Sequence, residues 1–156
     1  MYQNDIPRQT SSSPAPPQIQ LRQARLILAD DNPAILRQVS AILEEDFDIL
    51  AALPDGESAL RKAVELKPDL LVLDISMGRM SGFDVARALK QAGQHPRLVF
   101  VTIHQESDFV KAAMACGASG YVIKSHLASD LIPAVNAALL GELFLSPCLL
   151  KPENMS

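Results

Sequence analysis

The chain has 156 residues, 48% of them hydrophobic, which suits one compact domain with a real core. Its formal net charge of −4 argues against a nucleic-acid-binding protein, which would carry a basic patch. It has neither a basic-then-apolar leader nor roughly 18 consecutive apolar residues. We therefore expect no signal peptide, no membrane span and a cytoplasmic location. Cys116 and Cys148 lack metal-ligand spacing and are predicted to be small apolar fillers.

Residues 1–23 are rich in proline, serine and glutamine and contain few large apolar side chains. Such a segment gains too little from burial to offset the entropy of ordering. We predict that this segment is a disordered N-terminal tail.

Five apolar segments with strand character follow in chain order: Arg25–Ala29, Phe47–Leu53, Leu70–Leu73, Leu98–Val101 and Tyr121–Ile123. Between and after them, apolar residues recur at helical spacing over residues 33–43, 59–66, 83–91, 106–116 and 131–140. Asn32-Pro33 has the composition of a helix start, with Asn32 as the N-cap. Asp130 is expected to cap the last helix, Pro133 to lie in its first turn, and Gly141 to end it.

Strands that are apolar on both faces and alternate with amphipathic helices indicate a parallel sheet covered on both sides. In such a sheet, ligands bind at the carboxyl ends of the strands. Polar side chains stand at those ends: Asp30 and Asp31 after the first strand, Asp74 after the third, Thr102 after the fourth and Lys124 after the fifth.

These side chains suit phosphoryl transfer. Three neighbouring carboxylates repel one another, and a hard Mg²⁺ ion relieves that repulsion while accepting a phosphate oxygen. Asp74, central and followed by a glycine-containing loop, is the best candidate nucleophile. Lys124 supplies a compact positive charge and Thr102 a hydroxyl donor for the phosphoryl oxygens.

Four motifs, ILADDNP, LLVLDISMGRMSGFDVA, LVFVTIH and GASGYVIK, occur in this order. In order and spacing they resemble the receiver domain of bacterial two-component response regulators over roughly residues 25–141. The resemblance implies a doubly wound, flavodoxin-like (βα)5 fold with strand order 2-1-3-4-5. It implies a receiver domain at residues 24–141 that takes a phosphoryl group from a sensor histidine kinase or phosphotransfer protein. The chain would then be a signalling module, with self-phosphorylation and dephosphorylation as its only catalysis.

The same resemblance assigns roles residue by residue. Asp74 corresponds to the phosphoacceptor, and Mg²⁺ would be held by Asp30, Asp31, Asp74 and the backbone carbonyl of Ser76. Thr102 and Lys124 would stabilise the phosphoryl group. Tyr121 corresponds to the switch aromatic, although plain packing at a strand start explains a tyrosine there equally well. The fourth helix, fifth strand and fifth helix would form the output surface and a possible homodimer contact.

Residues 142–156 are similar to the linker that follows the receiver in NarL/FixJ-type transcriptional regulators, and we expect them to form a linker-like tail. No basic recognition helix follows this segment, so no direct nucleic-acid binding is expected.

Three residues depart from the family pattern; one is Ser125, which follows Lys124 where many relatives, though not those of the NarL type, have proline. Gly78 stands where relatives usually have proline, and Ile103 stands where they usually have a small residue. Gly78 and Ile103 support a second hypothesis, a receiver-fold interaction module whose regulated phosphorylation is weak or lost. A third, an aspartate-nucleophile phosphatase, is disfavoured because Ser76 stands where a second acid is needed. His104 follows Thr102 by two residues and could influence the lifetime of the phosphoryl group, but it is expected to be an exposed loop residue.

Overall fold

The computed structural model describes residues 24–150, so the predicted tail at residues 1–23 and the last residues, 151–156, lie outside the described part. The described chain is an alternating series of strands and helices. In chain order these are β1 Arg25–Ala29, α1 Pro33–Leu43, β2 Asp48–Leu53, α2 Gly56–Leu66, β3 Leu70–Leu73, α3 Gly82–Gln91, β4 Arg97–Thr102, α4 Ser107–Ala115, β5 Gly120–Ile123, α5 Leu127–Leu139 and β6 Phe144–Leu145. Short 3-10 turns span Lys124–His126 and Pro147–Leu150.

All neighbouring strands pair in parallel, in the order β2-β1-β3-β4-β5-β6. The predicted order 2-1-3-4-5 therefore holds for five strands, but the prediction of a five-stranded sheet is wrong. The sixth strand lies in the segment that we expected to be linker. It pairs Gly120 with Phe144 and Tyr121 with Leu145.

The sheet has one hydrophobic core on each face, because successive strand residues point to opposite sides. In β1, Leu26 and Leu28 face the core beneath α1 and α5, whereas Ile27 and Ala29 face the core beneath α2, α3 and α4. Helices on both faces of a parallel sheet are the arrangement predicted from the sequence. Because all strands are parallel, their carboxyl ends lie together at one end of the sheet, between the two helix layers.

The helix ends agree with the sequence at some positions and not at others. Asn32 caps α1, since its side-chain oxygen accepts from Ala34 N at 2.9 Å, and Gly141 follows α5 with φ +82°, as predicted. The predicted start of α5 is wrong, because the helix begins at Leu127 and has Pro133 in its interior. The additional helical turn before Pro133 buries Leu127 on the sheet. This burial outweighs the backbone hydrogen bond that Pro133 cannot donate.

Asp130 is consequently a buried residue within α5 and not its cap. Cys116 and Cys148 form no disulfide and pack against the hydrophobic core, in line with their predicted role as fillers. Between residues 24 and 150, no helix combines the length and apolar character that crossing a bilayer requires.

Candidate functional site

Four strand ends bring charged and hydroxyl side chains to one point on the edge of the sheet. Lys124 Nζ lies 2.9 Å from Asp30 Oδ2 and 3.3 Å from Asp74 Oδ2, so the ends of β1, β3 and β5 are joined by one ammonium group. Thr102, the last residue of β4, is completely buried beside them and lines the same cavity as Asp74. The side chains that the sequence places at the strand ends therefore meet in space.

Three carboxylates form the acidic part of this cluster. Asp30, Asp31 and Asp74 each offer one oxygen, and these oxygens lie within 4.8 Å of one another. Opposite ligands of an octahedral Mg²⁺ ion are about 4.2 Å apart, because each oxygen lies about 2.1 Å from the metal. Separations of at most 4.8 Å are comparable with the width of a magnesium shell, and the all-oxygen donor set suits this hard cation.

The two adjacent acids have different surroundings. Asp30 is buried and already engaged, because its Oδ1 accepts from Asn32 N at 2.9 Å and its Oδ2 contacts Lys124. Asp31 is exposed and lines the cavity. Asp31 is thus the acid of the pair that is open to an incoming cation, while Asp30 holds the ammonium group.

Asp74 is fixed by its backbone and by the loop that follows it. Its amide donates to Ala29 O at 2.9 Å, and the loop closes where Gly82 N donates to Ile75 O at 2.8 Å. A Cβ atom on Gly82 would lie 2.3 Å from the carbonyl oxygen of Asp74, so only glycine allows this close approach. The Asp74 residue is 4% exposed, which places its carboxylate at the bottom of the cavity.

This burial changes the acidity of the central pair. Burial, together with the neighbouring Asp30 charge, raises the pKa of Asp74 to about 6, although Lys124 opposes the rise. Burial by itself would lower the pKa of Lys124. The hydrogen bond to Asp30 and the charge of Asp74 outweigh it, so the pKa of Lys124 lies above its ordinary value. The ammonium group therefore stays charged beside Asp74.

His104 joins Thr102 to Tyr121. The His104 amide donates to Thr102 Oγ1 at 3.1 Å, and the His104 carbonyl accepts from the Tyr121 hydroxyl at 2.7 Å. Its imidazole stacks on Phe109 with ring centroids 3.9 Å apart, and its Nε2 lies 3.1 Å from Ser76 Oγ. The expectation that His104 is an exposed loop residue is wrong, because these contacts make it a half-buried part of the site.

Tyr121 is buried with its ring turned into the core, and burial raises the pKa of its hydroxyl well above the ordinary value. The neutral hydroxyl remains a hydrogen-bond donor to the His104 carbonyl. The apolar run at residues 121–123 predicts that Tyr121 lies in a strand, but nothing in the sequence predicts this hydrogen bond, which depends on the path of the loop after β4.

Of the departures from the family pattern, Ile103 and Ser125 line the same cavity, whereas Gly78 lies in the loop that follows Asp74. Gly78 has φ +79°, a left-handed conformation that proline cannot adopt. The backbone of the loop after Asp74 therefore follows a path here that a proline at residue 78 would not allow. Ile103 is 69% exposed and lines the cavity above Asp74, which has a volume of about 550 Å³. Ile103 therefore lies at the entrance of the cavity.

Comparison with known families and proteins agrees with this geometry. Residues 26–136 match the family described as response regulator receiver domain. The transcriptional regulatory protein DegU of Brevibacillus brevis is 29% identical over 83% of this chain and 56% of its own length. The nitrate/nitrite response regulator NarL of Escherichia coli K12 is 30% identical over 81% of this chain and 59% of its own length. The chain thus spans less than two thirds of these relatives.

Solved structures are similar along the same part of the chain. A two-component response regulator of the LuxR family from Aurantimonas sp. SI85-9A1 shares 32% identity and a TM-score of 0.77, covering 81% of this chain and 92% of that one. The receiver domain of the putative response regulator NarL from Mycobacterium tuberculosis shares 26% identity and a TM-score of 0.73, covering 77% and 98%.

Proposed function

Because the chain belongs to the response regulator receiver domain family, we propose that it is a phosphoacceptor module whose Asp74 takes a phosphoryl group from a histidine kinase or phosphotransfer protein. One observation carries this proposal. The Asp74 carboxylate lies at the bottom of an open cavity, between an ammonium group 3.3 Å away and two further carboxylates. A nucleophile, a cation for the phosphoryl charge and an oxygen-rich metal site therefore coincide.

The reaction follows from these groups. An Asp74 oxygen forms a bond to phosphorus as the phosphorus–nitrogen bond of a donor phosphohistidine breaks, and the electron pair returns to the imidazole. A bound Mg²⁺ would neutralise charge on the carboxylates and the phosphoryl oxygens. In our proposal Asp31, Asp74 and the Ser76 carbonyl hold this ion directly, and Asp30 supports it while positioning Lys124. Lys124 and Thr102 stabilise the transferred group.

The proposed switch uses the contacts of His104. Its amide donates to the Thr102 hydroxyl, and this bond must weaken if that hydroxyl turns toward a phosphoryl oxygen. The same loop carries the carbonyl that holds Tyr121. We propose that movement of Thr102 reaches Tyr121 through this loop and so changes the surface formed by α4, β5 and α5.

That surface is our proposed contact for a partner or a second copy of the chain. Regulation of transcription is the proposed outcome, since the similar proteins DegU and NarL are transcriptional and nitrate/nitrite response regulators. β6 lies beside β5 in this region, so a partner that binds here also meets the C-terminal segment. A cytoplasmic site of action, shared with the kinase domain, remains a prediction.

The direct test is incubation with Mg²⁺ and acetyl phosphate, followed by intact-mass measurement. We expect one added phosphoryl mass in the wild-type chain and none in Asp74→Asn. Asp84→Asn is a matched control, because it makes the same aspartate-to-asparagine change in the capping box of α3, outside the cluster of Asp30, Asp31 and Asp74. Equal phosphorylation of Asp74→Asn would refute the assignment of the nucleophile.

A second candidate function is an interaction module that does not depend on phosphorylation. Ile103 at the cavity entrance and the left-handed Gly78 favour it. This candidate predicts no added mass with acetyl phosphate, and none with a cognate kinase. It also predicts that Asp74→Asn binds the partner as tightly as the wild-type chain does.

A further inference from the structure

The C-terminal segment Phe144–Leu150 begins alongside β5, the strand that ends immediately before the site lysine, Lys124. Phe144 N donates to Ser119 O at 3.0 Å, and Ser146 N donates to Tyr121 O at 2.9 Å. The chain then turns away, because Ser146 O accepts from Leu149 N within the 3-10 turn. Leu149 is buried in the core that also contains Tyr121. The segment is thus part of the domain.

Ser146 continues the strand pairing with its side chain. Its backbone carbonyl is used inside the turn, and its hydroxyl oxygen accepts from Ile123 N at 3.0 Å instead. The same hydroxyl donates to Asp130 Oδ2 at 2.7 Å. Ser146 is completely buried, so water does not compete for these bonds. One hydroxyl group therefore joins the end of β5 to α5.

Asp130 is the fixed end of this connection. Its other oxygen, Oδ1, accepts from Ser129 Oγ at 2.9 Å, so each carboxylate oxygen receives a hydroxyl donor. The residue lies inside α5, which packs on the sheet through Leu127 and Leu131. The orientation of the Ser146 hydroxyl is therefore set by a helix that is anchored in the core.

The residue held by this hydroxyl immediately precedes Lys124. We propose that Ser146, oriented by Asp130, is a positioning residue that fixes the end of β5 and thereby holds the Lys124 ammonium group against Asp74 and its phosphoryl group. This inference rests on the proposed function. The Lys124–Asp74 distance of 3.3 Å leaves little slack, and a misplacement of about 1 Å at a reacting centre can cost on the order of 100-fold.

The test compares four variants. Ser146→Ala and Asp130→Ala remove the connection, whereas Asp130→Asn keeps an amide oxygen that can accept from Ser146. Asp55→Ala is the stability control, because it removes the α2 cap that accepts from Ser58 N at 2.7 Å and lies far from β5 in the sheet order. Binding of Mg²⁺ alone, and of trifluoroberyllate in the presence of Mg²⁺, is measured by NMR titration after urea unfolding has established that each variant is folded.

We expect Ser146→Ala and Asp130→Ala to bind trifluoroberyllate roughly tenfold or more weakly while their affinity for Mg²⁺ alone changes less than twofold. Asp130→Asn should stay within threefold of wild type. A merely structural role predicts that Asp55→Ala, when equally destabilised, shows the same loss. Wild-type trifluoroberyllate affinity in folded Ser146→Ala would overturn the proposal.

Failure of the proposed function gives a different result. A wild-type chain that takes neither a phosphoryl group nor trifluoroberyllate refutes the phosphoacceptor role itself. Whether Ser146 positions Lys124 is then tested in the metal-free protein by the ¹⁵N–¹H signal of the Lys124 ammonium group. That signal should be sharp in wild type and Asp130→Asn and broadened in Ser146→Ala; an unchanged signal in Ser146→Ala overturns the inference.

Discussion

Asp74→Asn should stabilise the metal-free protein, because burial in the wild-type fold disfavours the ionised form of the Asp74 carboxylate. The pKa of Asp74 is raised from 3.8 to about 6, chiefly by burial. Each pKa unit corresponds to about 1.4 kcal/mol, so ionised Asp74 lowers the free energy of unfolding by about 3 kcal/mol at pH 8. The asparagine side chain carries no such charge, and we expect the variant to be more stable by up to that amount.

The raised pKa of Asp74 also determines how the stability difference between wild type and Asp74→Asn changes with pH. Between pH 3.8 and about 6 the folded chain binds more protons at Asp74 than the unfolded chain. The contribution of this group to stability is therefore largest below pH 3.8 and is lost as the pH rises through 6. The stability advantage of Asp74→Asn should accordingly be about half as large at pH 5 as at pH 8, where it approaches about 3 kcal/mol.

Urea unfolding followed by circular dichroism, in the presence of a chelator at pH 5, 6, 7 and 8, measures this difference. Asp31→Asn is the matched control, since Asp31 belongs to the same cluster but is exposed. Mg²⁺ should reduce the difference in stability between Asp74→Asn and wild type, because it binds the wild-type carboxylates. A ligand at a hundredfold its Kd stabilises the protein that binds it by about 2.7 kcal/mol. A difference independent of pH, or Asp74→Asn no more stable than wild type at pH 8 without metal, would refute the burial argument.

Three further predictions concern the same edge of the sheet. Asp31→Ala should weaken Mg²⁺ binding at least tenfold in a calorimetric titration, and unchanged affinity would exclude Asp31 as a direct ligand. Lys124→Met should raise the pKa of Asp74 above about 6, since Lys124 now lowers it; carboxyl ¹³C NMR of the metal-free protein measures this value, and a fall would contradict the assigned pairing. Gly82→Ala should cost about 2 kcal/mol or more of stability in urea unfolding, because its Cβ would lie 2.3 Å from the Asp74 carbonyl oxygen; a change below about 0.5 kcal/mol would mean that the loop adjusts freely.

The convergence at the strand ends was predictable because it follows from topology. Parallel strands that alternate with helices must deliver their carboxyl ends to one edge, so Asp30, Asp74, Thr102 and Lys124 were placed together by their order in the chain alone. Each lies where a run of apolar residues ends, which is a strong local signal. The roles of these residues remain proposals, but their proximity is a property of the fold.

The features that the sequence did not reveal depend on contacts between distant residues. β6 has two residues and no repeating pattern, so Phe144–Leu145 looks like linker until it pairs with β5. Pro133 favoured a late start for α5, but burial on the sheet decides where that helix begins. His104 lies in a loop without periodicity, and only the geometry after β4 brings it to Tyr121.

The short length of β6 also protects the described domain from aggregation. A long exposed edge strand offers a row of free amide and carbonyl groups that another chain can extend. Here only Phe144, Leu145 and Ser146 pair with β5 before the chain turns away at Pro147, and proline has no amide hydrogen to donate. The opposite edge strand, β2, begins with the exposed charge of Asp48. Pro147 at one edge of the sheet and Asp48 at the other therefore disfavour fibril-like extension of the sheet by another chain.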